Sequence, residues 1–326
     1  MAAVDHYCGT EARIRKALAL QAELIEETGA CVMDVTLDCE DGAPSGQELE
    51  HAELMVALLH ETATSDRTKP LRVPRRVGLR VHPVDHEHFY SDLQIVLPQA
   101  GRLLSHIMLP KTETLADVER AVDVLNQFQA DDLPLHCLIE SAQAVQNAPA
   151  IAAHPRVDSL SFGLMDFVSS HNGAIPQCAM TMDATGGQFD HPLVVKAKID
   201  IAAACHATGK VPSHCVVTEF SDAAAIQSAA EQAAQRLGYT RMWSIHPAQV
   251  RAILNAFAPN PAQIDAACEV LLAASAVDWA PISISKKLHD RASYRYYWQL
   301  LQRAQQIGAA LPEAAKHAFF SANATY

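Results

Sequence analysis

From residue 11 to about residue 258 the chain alternates short apolar runs with longer segments of helical periodicity, and no other feature constrains its fold as tightly. The runs fall at Val32 to Leu37, Val77 to Val81, His106 to Leu109, Leu135 to Ile139, 159–163, Val211 to Val217 and Met242 to Ile245. They are short, and several end in a polar or Gly-containing step, as strands buried on both faces of a parallel sheet do. Helical segments are read at Glu11 to Thr28, Gly46 to Thr62, Leu193 to Thr208, Ala223 to Leu237 and from Pro247, which suits the first helical position. Thr114 and Asp117 have the spacing of a capping box, and Leu115, Val118, Val122, Leu125 and Phe128 then share one helical face. Seven strands are clear and residues 3–8 give a fainter eighth, a count that favours a closed (β/α)8 TIM barrel over an open doubly wound sheet. No strand is followed by a Gly-rich nucleotide-binding loop.

After residue 258 the alternation stops. Residues 262–276 and Ser293 to Ile307, the latter rich in aromatics, read as helices. The chain therefore divides into a barrel over 1–258 and a C-terminal helical extension over 259–326 that serves as a lid or an oligomer contact. The polar, Gly-rich stretch 169–190 is a second candidate lid.

Two carboxylates stand just past strand ends: Glu140 after Leu135 to Ile139, and Asp166 after Leu160 to Met165. In a (β/α)8 barrel the C-terminal ends of the strands form the rim where active sites are built. Two acidic groups there suit a hard, oxygen-preferring divalent ion. The bland alternative is a structural acid–base pair at the rim.

Charge and cysteine content narrow the partners. The formal charge is 25 − 37 = −12 with no basic run, which argues against nucleic acid and anionic membrane surfaces. An anionic substrate must then be met by locally placed cations. The eight cysteines are scattered, form no CxxC pair and sit partly in apolar runs, the pattern of a reduced, cytoplasmic protein. Nothing in the sequence reaches bilayer-spanning length, and the N-terminus is not of the signal-peptide type.

Six segments occur in order: Leu37-Asp38-Cys39-Glu40-Asp41-Gly42, Gly78 to Pro83, Ile107 to Glu113, Leu138 to Ser141, Phe162 to Asp166, and Ile245 to Val250. Together, across roughly residues 30–258, they resemble the HpcH/HpaI aldolase and citrate lyase β-subunit superfamily in its citrate lyase-like and malyl-CoA lyase-like branch. The resemblance implies Mg²⁺ dependence, homotrimers or hexamers, and reversible carbon–carbon cleavage of a 3-hydroxyacyl thioester or related hydroxy acid. It implies that Glu140 and Asp166 are metal ligands, with Glu140 also facing substrate, and that Arg80 binds substrate. Three features depart from the pattern: the Phe-Val-Pro-Gly-type loop is not legible in residues 1–10, His82 stands where Asn is common, and Ile282 to Trp298 does not resemble the lid that supplies an Asp to a neighbour.

In that chemistry Arg80 offers a permanently charged planar fork to an enolate or carboxylate. Glu40 and Asp41 would hold Arg80 or bind metal waters as further catalytic candidates, with Asp38 ranked behind them. Arg80 as a plain ion-pair partner, and Asp-Gly as a plain turn, are the rival readings. His246, before Pro247, reads as a strand-end structural residue, and Asp85-His86-Glu87-His88 lacks a matching distant ligand set for a transition metal. Alternatives to a hydroxyacyl-CoA lyase are an aldolase on a free hydroxy-keto acid, an acyl-CoA thioesterase, and a non-catalytic subunit of a citrate lyase-like complex.

Overall fold

A computed structural model describes residues 1–42 and 45–320. Eight parallel strands close into a barrel: β1 (Val4–Cys8), β2 (Met33–Asp38), β3 (Val77–Arg80), β4 (His106–Leu109), β5 (Leu135–Ile139), β6 (Val157–Phe162), β7 (Val211–His214) and β8 (Arg241–Ser244). The faint eighth strand is thus real and is the first in the chain. It pairs with β2 from Val4↔Met33 to Cys8↔Leu37 and with β8 from Val4↔Met242 to His6↔Ser244, closing the cylinder.

The helices wrap the barrel in the order α1 (Glu11–Thr28), α2 (Glu48–Thr68), α3 (Phe89–Ala100), α4 (Leu115–Gln127), α5 (Ala142–Ala153), the short α6 (Leu164–Ser169), α7 (Pro192–Thr208), α8 (Ala223–Arg236) and α9 (Pro247–Phe257). Their starts follow local chemistry. Thr114 and Asp117 form the expected capping box, with Asp117 Oδ2 accepting from the Thr114 N–H at 2.8 Å. His246 caps α9 and Pro247 occupies its first turn, so His246 does the structural work read from its place in the sequence. Two boundaries differ from the sequence reading by three residues or more. Helix α2 continues past Thr62 to Thr68 because Asp66 in its last turn accepts a bidentate pair from Arg75 at 2.6 and 2.7 Å. Strand β7 stops at His214, short of Val217, whose carbonyl is taken by Gln249 Nε2 at 2.6 Å.

The C-terminal part comprises α10 (Pro261–Ser275), a hairpin of β9 (Ile282–Ile284) and β10 (Lys287–His289), α11 (Arg291–Gln306) and α12 (Glu313–Phe319). The last six residues of the expected extension lie outside the described residues. Ser285 and Lys286 both take positive φ (51° and 63°), as a two-residue hairpin turn requires. This part carries its own apolar cluster, including Ile264, Leu271, Leu301 and Phe319. It meets the barrel at the helix C-terminal ends: Arg303 Nη2 donates to the Phe257 carbonyl at 3.0 Å, and Gly308 abuts Thr28. That is the foot of the barrel, opposite the strand C-terminal rim.

The stretch 169–190 is mostly irregular, with a 3-10 turn at Gln177–Met180. Buried Gln188 fastens it to α7 by accepting from Lys198 Nζ at 2.8 Å, and the ammonium lies 4.0 Å over the Phe189 ring. Burial lowers the Lys198 pKa to about 8.

Inside the barrel near the foot, fully buried Arg241 lies 2.7 Å from both Asp5 Oδ2 and Asp34 Oδ2. His106 and His136 stack face to face beside it, centroids 3.9 Å apart. Burial lowers the pKa of His106 to about 4 and holds His136 and His214 well below 6.5. All three remain neutral when folded, but protonate near pH ~6.5 when unfolded. The unfolded chain then binds more protons as pH falls, so these groups cost no stability above about pH 6.5 and progressively destabilise between about 6.5 and 4. Denaturant unfolding across that window should show the decline, and His136→Phe should flatten it; stability independent of pH there would contradict this account.

Candidate active site

The rim is built where strands end. Asp38 closes β2 and Arg80 closes β3, facing each other in register. Arg80 Nε lies 2.7 Å from Asp38 Oδ1 and Nη2 lies 2.8 Å from Asp38 Oδ2, a bidentate pair buried from solvent. Its Nη1 is 2.8 Å from Glu40 Oε2, its Nη2 is 3.1 Å from Asp41 Oδ2, and its Cζ stands 4.5 Å over the Tyr7 ring. Asp38 and Glu40 are enclosed, whereas the Asp41 side chain is 69% exposed.

Lys111 joins this cluster to the next strands. It follows β4 with φ of 47°, and its backbone N–H donates to Glu140 Oε1 at 2.7 Å while its ammonium lies 3.0 Å from Glu40 Oε1. Glu140, the residue after β5, is 7% exposed. Burial first, and the Asp166 charge second, push its carboxyl up to about 8. Asp166 itself is exposed in the first turn of α6. Gly163 makes room for this arrangement, since a Cβ there would stand well inside 3.0 Å of Glu140 Oε2 and Cβ.

All five residues singled out in the sequence, Glu40, Asp41, Arg80, Glu140 and Asp166, therefore come to one end of the barrel. Asp38 proves to be the strongest partner of Arg80. Lys111 was not singled out; it lies in the Pro110-Lys111 step after a strand, but its left-handed backbone and double engagement leave no periodic trace. This cluster sets five carboxyl groups (Asp38, Glu40, Asp41, Glu140, Asp166) against two cations (Arg80, Lys111). Both cations are already committed to Asp38, Glu40 and Asp41, so Glu140 and Asp166 have no cationic side-chain partner among the described residues. The donors are hard oxygens with positions to spare, which fits a divalent ion such as Mg²⁺.

A second set of ligand-type atoms, on Asp5, His106 and His136, lies within 4.8 Å of one another in the barrel interior. It suits Mg²⁺ poorly. Two of its three groups are imidazoles, and their rings are stacked at 14°, so their in-plane lone pairs run side by side instead of converging. Asp5 is already engaged by Arg241 and by Thr36 Oγ1 at 2.7 Å, and His106 Nε2 meets Thr36 Oγ1 at 3.1 Å. We assign these groups to the barrel's packed interior.

Beside the rim a cavity of about 840 Å³ opens between the ends of β1, β2 and β8, lined among others by Tyr7, Arg13, Lys16, Asp41, Phe220 and His246. Replacing Gly163 with Ala should force Glu140 aside at a cost of roughly 1–3 kcal/mol. Gly101→Ala, where the nearest side-chain atom stands 3.4 Å away, should be near neutral by the same denaturation assay. Equal effects at the two positions would refute the packing account.

The model of the HpcH/HpaI aldolase/citrate lyase family matches residues 18–247. An L-malyl-CoA/β-methylmalyl-CoA lyase of Cereibacter sphaeroides is 28% identical over 310 residues, covering 88% of this chain and 92% of the relative. Among solved structures, a citrate lyase from Burkholderia xenovorans superposes with a TM-score of 0.83 at 46% identity, covering 98% of this chain and 96% of that one. The CitE protein of Mycobacterium tuberculosis, in complex with magnesium, acetoacetate and coenzyme A, shares the fold with a TM-score of 0.67 at 22% identity, over 93% and 98% of the two chains. The chain belongs to the HpcH/HpaI aldolase/citrate lyase family, in its citrate lyase β-subunit-like and malyl-CoA lyase-like branch, and is a carbon–carbon lyase.

Proposed function

We propose that this lyase reversibly cleaves a 3-hydroxyacyl-CoA of the malyl- or citramalyl-CoA type into a keto acid and an acyl-CoA, with Mg²⁺ held by Glu140 and Asp166. The observation that carries the reading is the surplus of carboxylates at the rim, with Glu140 buried, lifted to about 8 and lacking a cationic partner. The similarity to a malyl-CoA lyase supports the substrate class, and the magnesium in the Mycobacterium protein supports the ion. Bound there, Mg²⁺ would polarise the oxygen of the hydroxy or keto group and fix its orientation.

The remaining work falls to the chain's own groups. Asp38 and Glu40 hold the Arg80 fork rigid, so no reorganisation is needed when negative charge develops before it. Asp41, exposed and on the longer of the Arg80 contacts, is the arm that gives way to a substrate carboxylate or enolate oxygen. Lys111 braces Glu140 through its backbone and Glu40 through its ammonium. The cavity beside Tyr7 offers Arg13 and Lys16 on the first turns of α1 to the phosphates of CoA, favoured also by the helix N-terminus. This cationic wall is what favours the thioester over a free hydroxy acid. Within the expected extension over 259–326, residues 259–320 form a separate helical unit at the foot, which contributes to contacts within a homotrimer or hexamer.

The assay is to incubate the protein with Mg²⁺ and (S)-malyl-CoA or (S)-citramalyl-CoA and follow keto acid and free thiol separately. Keto acid without thiol is expected; thiol without keto acid would make the protein a hydrolase. Mg²⁺ should raise the Tm of the native protein by preferential binding to the folded state. Asp166→Ala and Glu140→Gln should lose both that rise and turnover, and retention of both would end the metal assignment. Arg80→Met should lower kcat roughly 100- to 1000-fold. Arg13→Ala combined with Lys16→Ala should instead raise KM with little change in kcat, and an unchanged KM would remove CoA from that cavity.

A further inference from the structure

His82 leaves β3 two residues beyond Arg80, at the same rim. Its Nδ1 lies 2.7 Å from Asp92 Oδ2, and the same oxygen accepts its backbone N–H at 2.9 Å. Asp92, in the first turn of α3, is 1% exposed, so the carboxylate that orients the ring is itself fixed. The His82 ring stacks on His86, with centroids 4.6 Å apart at 12°, and His88 flanks it at 5.5 Å. With Nδ1 committed, Nε2 is the free position, and no described residue hydrogen-bonds it. Burial is the largest single influence on His82 and opposes its charge, yet Asp92, then Glu40 and Glu48, together raise its pKa. Glu40 is the same residue that holds Arg80 and Lys111, which places His82 alongside the rim cluster. Among the described residues, nothing else at the rim supplies an imidazole oriented by a buried carboxylate.

We propose that His82, oriented by Asp92, is the proton-transfer residue of the lyase, acting through Nε2 at the carbon next to the thioester. This rests on the hydroxyacyl-CoA reading above. In cleavage the carbon–carbon bond breaks, the hydroxyl loses its proton as the carbonyl forms, and the bonding pair stays on the enolate. The imidazolium Nε2–H then delivers its proton to the enolate carbon, and the proton released from the hydroxyl restores the balance through solvent. In condensation neutral Nε2 removes a proton from the acyl carbon. A histidine held by a carboxylate, with its pKa above the ordinary value, is suited to both directions near neutral pH. The groups facing it are Asp92 from α3, His86 and His88 from the β3–α3 loop, Glu40 from the β2–α2 loop and Glu48 from α2.

The test is deuterium wash-in at the acyl carbon of acetyl-CoA or propionyl-CoA in heavy water with Mg²⁺, run beside the cleavage assay. His82→Asn should lower wash-in and kcat by about 100-fold or more while keeping KM and the Mg²⁺-dependent rise in Tm. Asp92→Asn retains the imidazole but removes the charge that raises its pKa, so the ionisation seen in the pH profile of kcat/KM should move to lower pH. Wash-in and a pH profile in His82→Asn matching the native protein would overturn the role of His82 alone. A native protein that shows neither cleavage nor wash-in would overturn the substrate reading and the His82 role together. His82→Gln guards against a folding defect: the proposal requires it to melt like the native protein yet fail equally in wash-in, and native-like wash-in in it refutes the proposal.

Discussion

The guanidinium of Arg241, locked between Asp5 and Asp34, is the interaction on which the barrel closes. It ties the last strand to the first and second across the seam, and its Nη1 also donates to the Ala2 carbonyl at 2.8 Å. Arg76, its side chain 33% exposed, reaches the other oxygen of Asp34 at 3.0 Å, so two arginines answer the two buried carboxylates. Removing one member of such a buried set strands the others without solvent, typically at about 3–5 kcal/mol. The stacked neutral imidazoles beside it fill space that apolar side chains fill in most barrels.

The two ends of the cylinder thus solve opposite problems. At the foot, charges are matched and sealed, and the C-terminal helices cover the helix ends. In the Arg80 cluster at the rim they are unmatched: five carboxyl groups stand with two cations, and one of those carboxyls is held near 8 by burial and a like charge. A carboxyl lifted that far makes folding less favourable wherever the unfolded chain would carry it ionised. Such a penalty is retained where a site must be ready for something it does not itself contain. Glu40 and the rigid Arg80 fork stand near that position.

Much of the fold was legible because βα alternation is a local signal. Strand β1 was faint since Asp5, His6 and Tyr7 interrupt its apolar pattern, and only the distant Arg241, Thr36 and Ser244 explain why polar groups point inward there. The rim carboxylates were legible for a similar reason: a polar residue at the end of a buried run has few places to go. What sequence could not carry is who meets whom. Glu40 and Asp41 read as holders of Arg80, but the buried bidentate pair that grips it most firmly comes from Asp38. The twofold engagement of Lys111 depends on a left-handed φ that no residue preference announces. The pairing of His82 with Asp92 spans a ten-residue excursion into the next helix, invisible to any periodicity.

The segment around Gln188 read as a candidate flap, yet it is bolted down. Swinging it outward would uncouple the Lys198 ammonium from its amide and its aromatic platform, exposing a charge seat in the heart of the fold. Hinging there is therefore a poor way to cover the rim. Any rearrangement at the mouth is left to other segments of the rim.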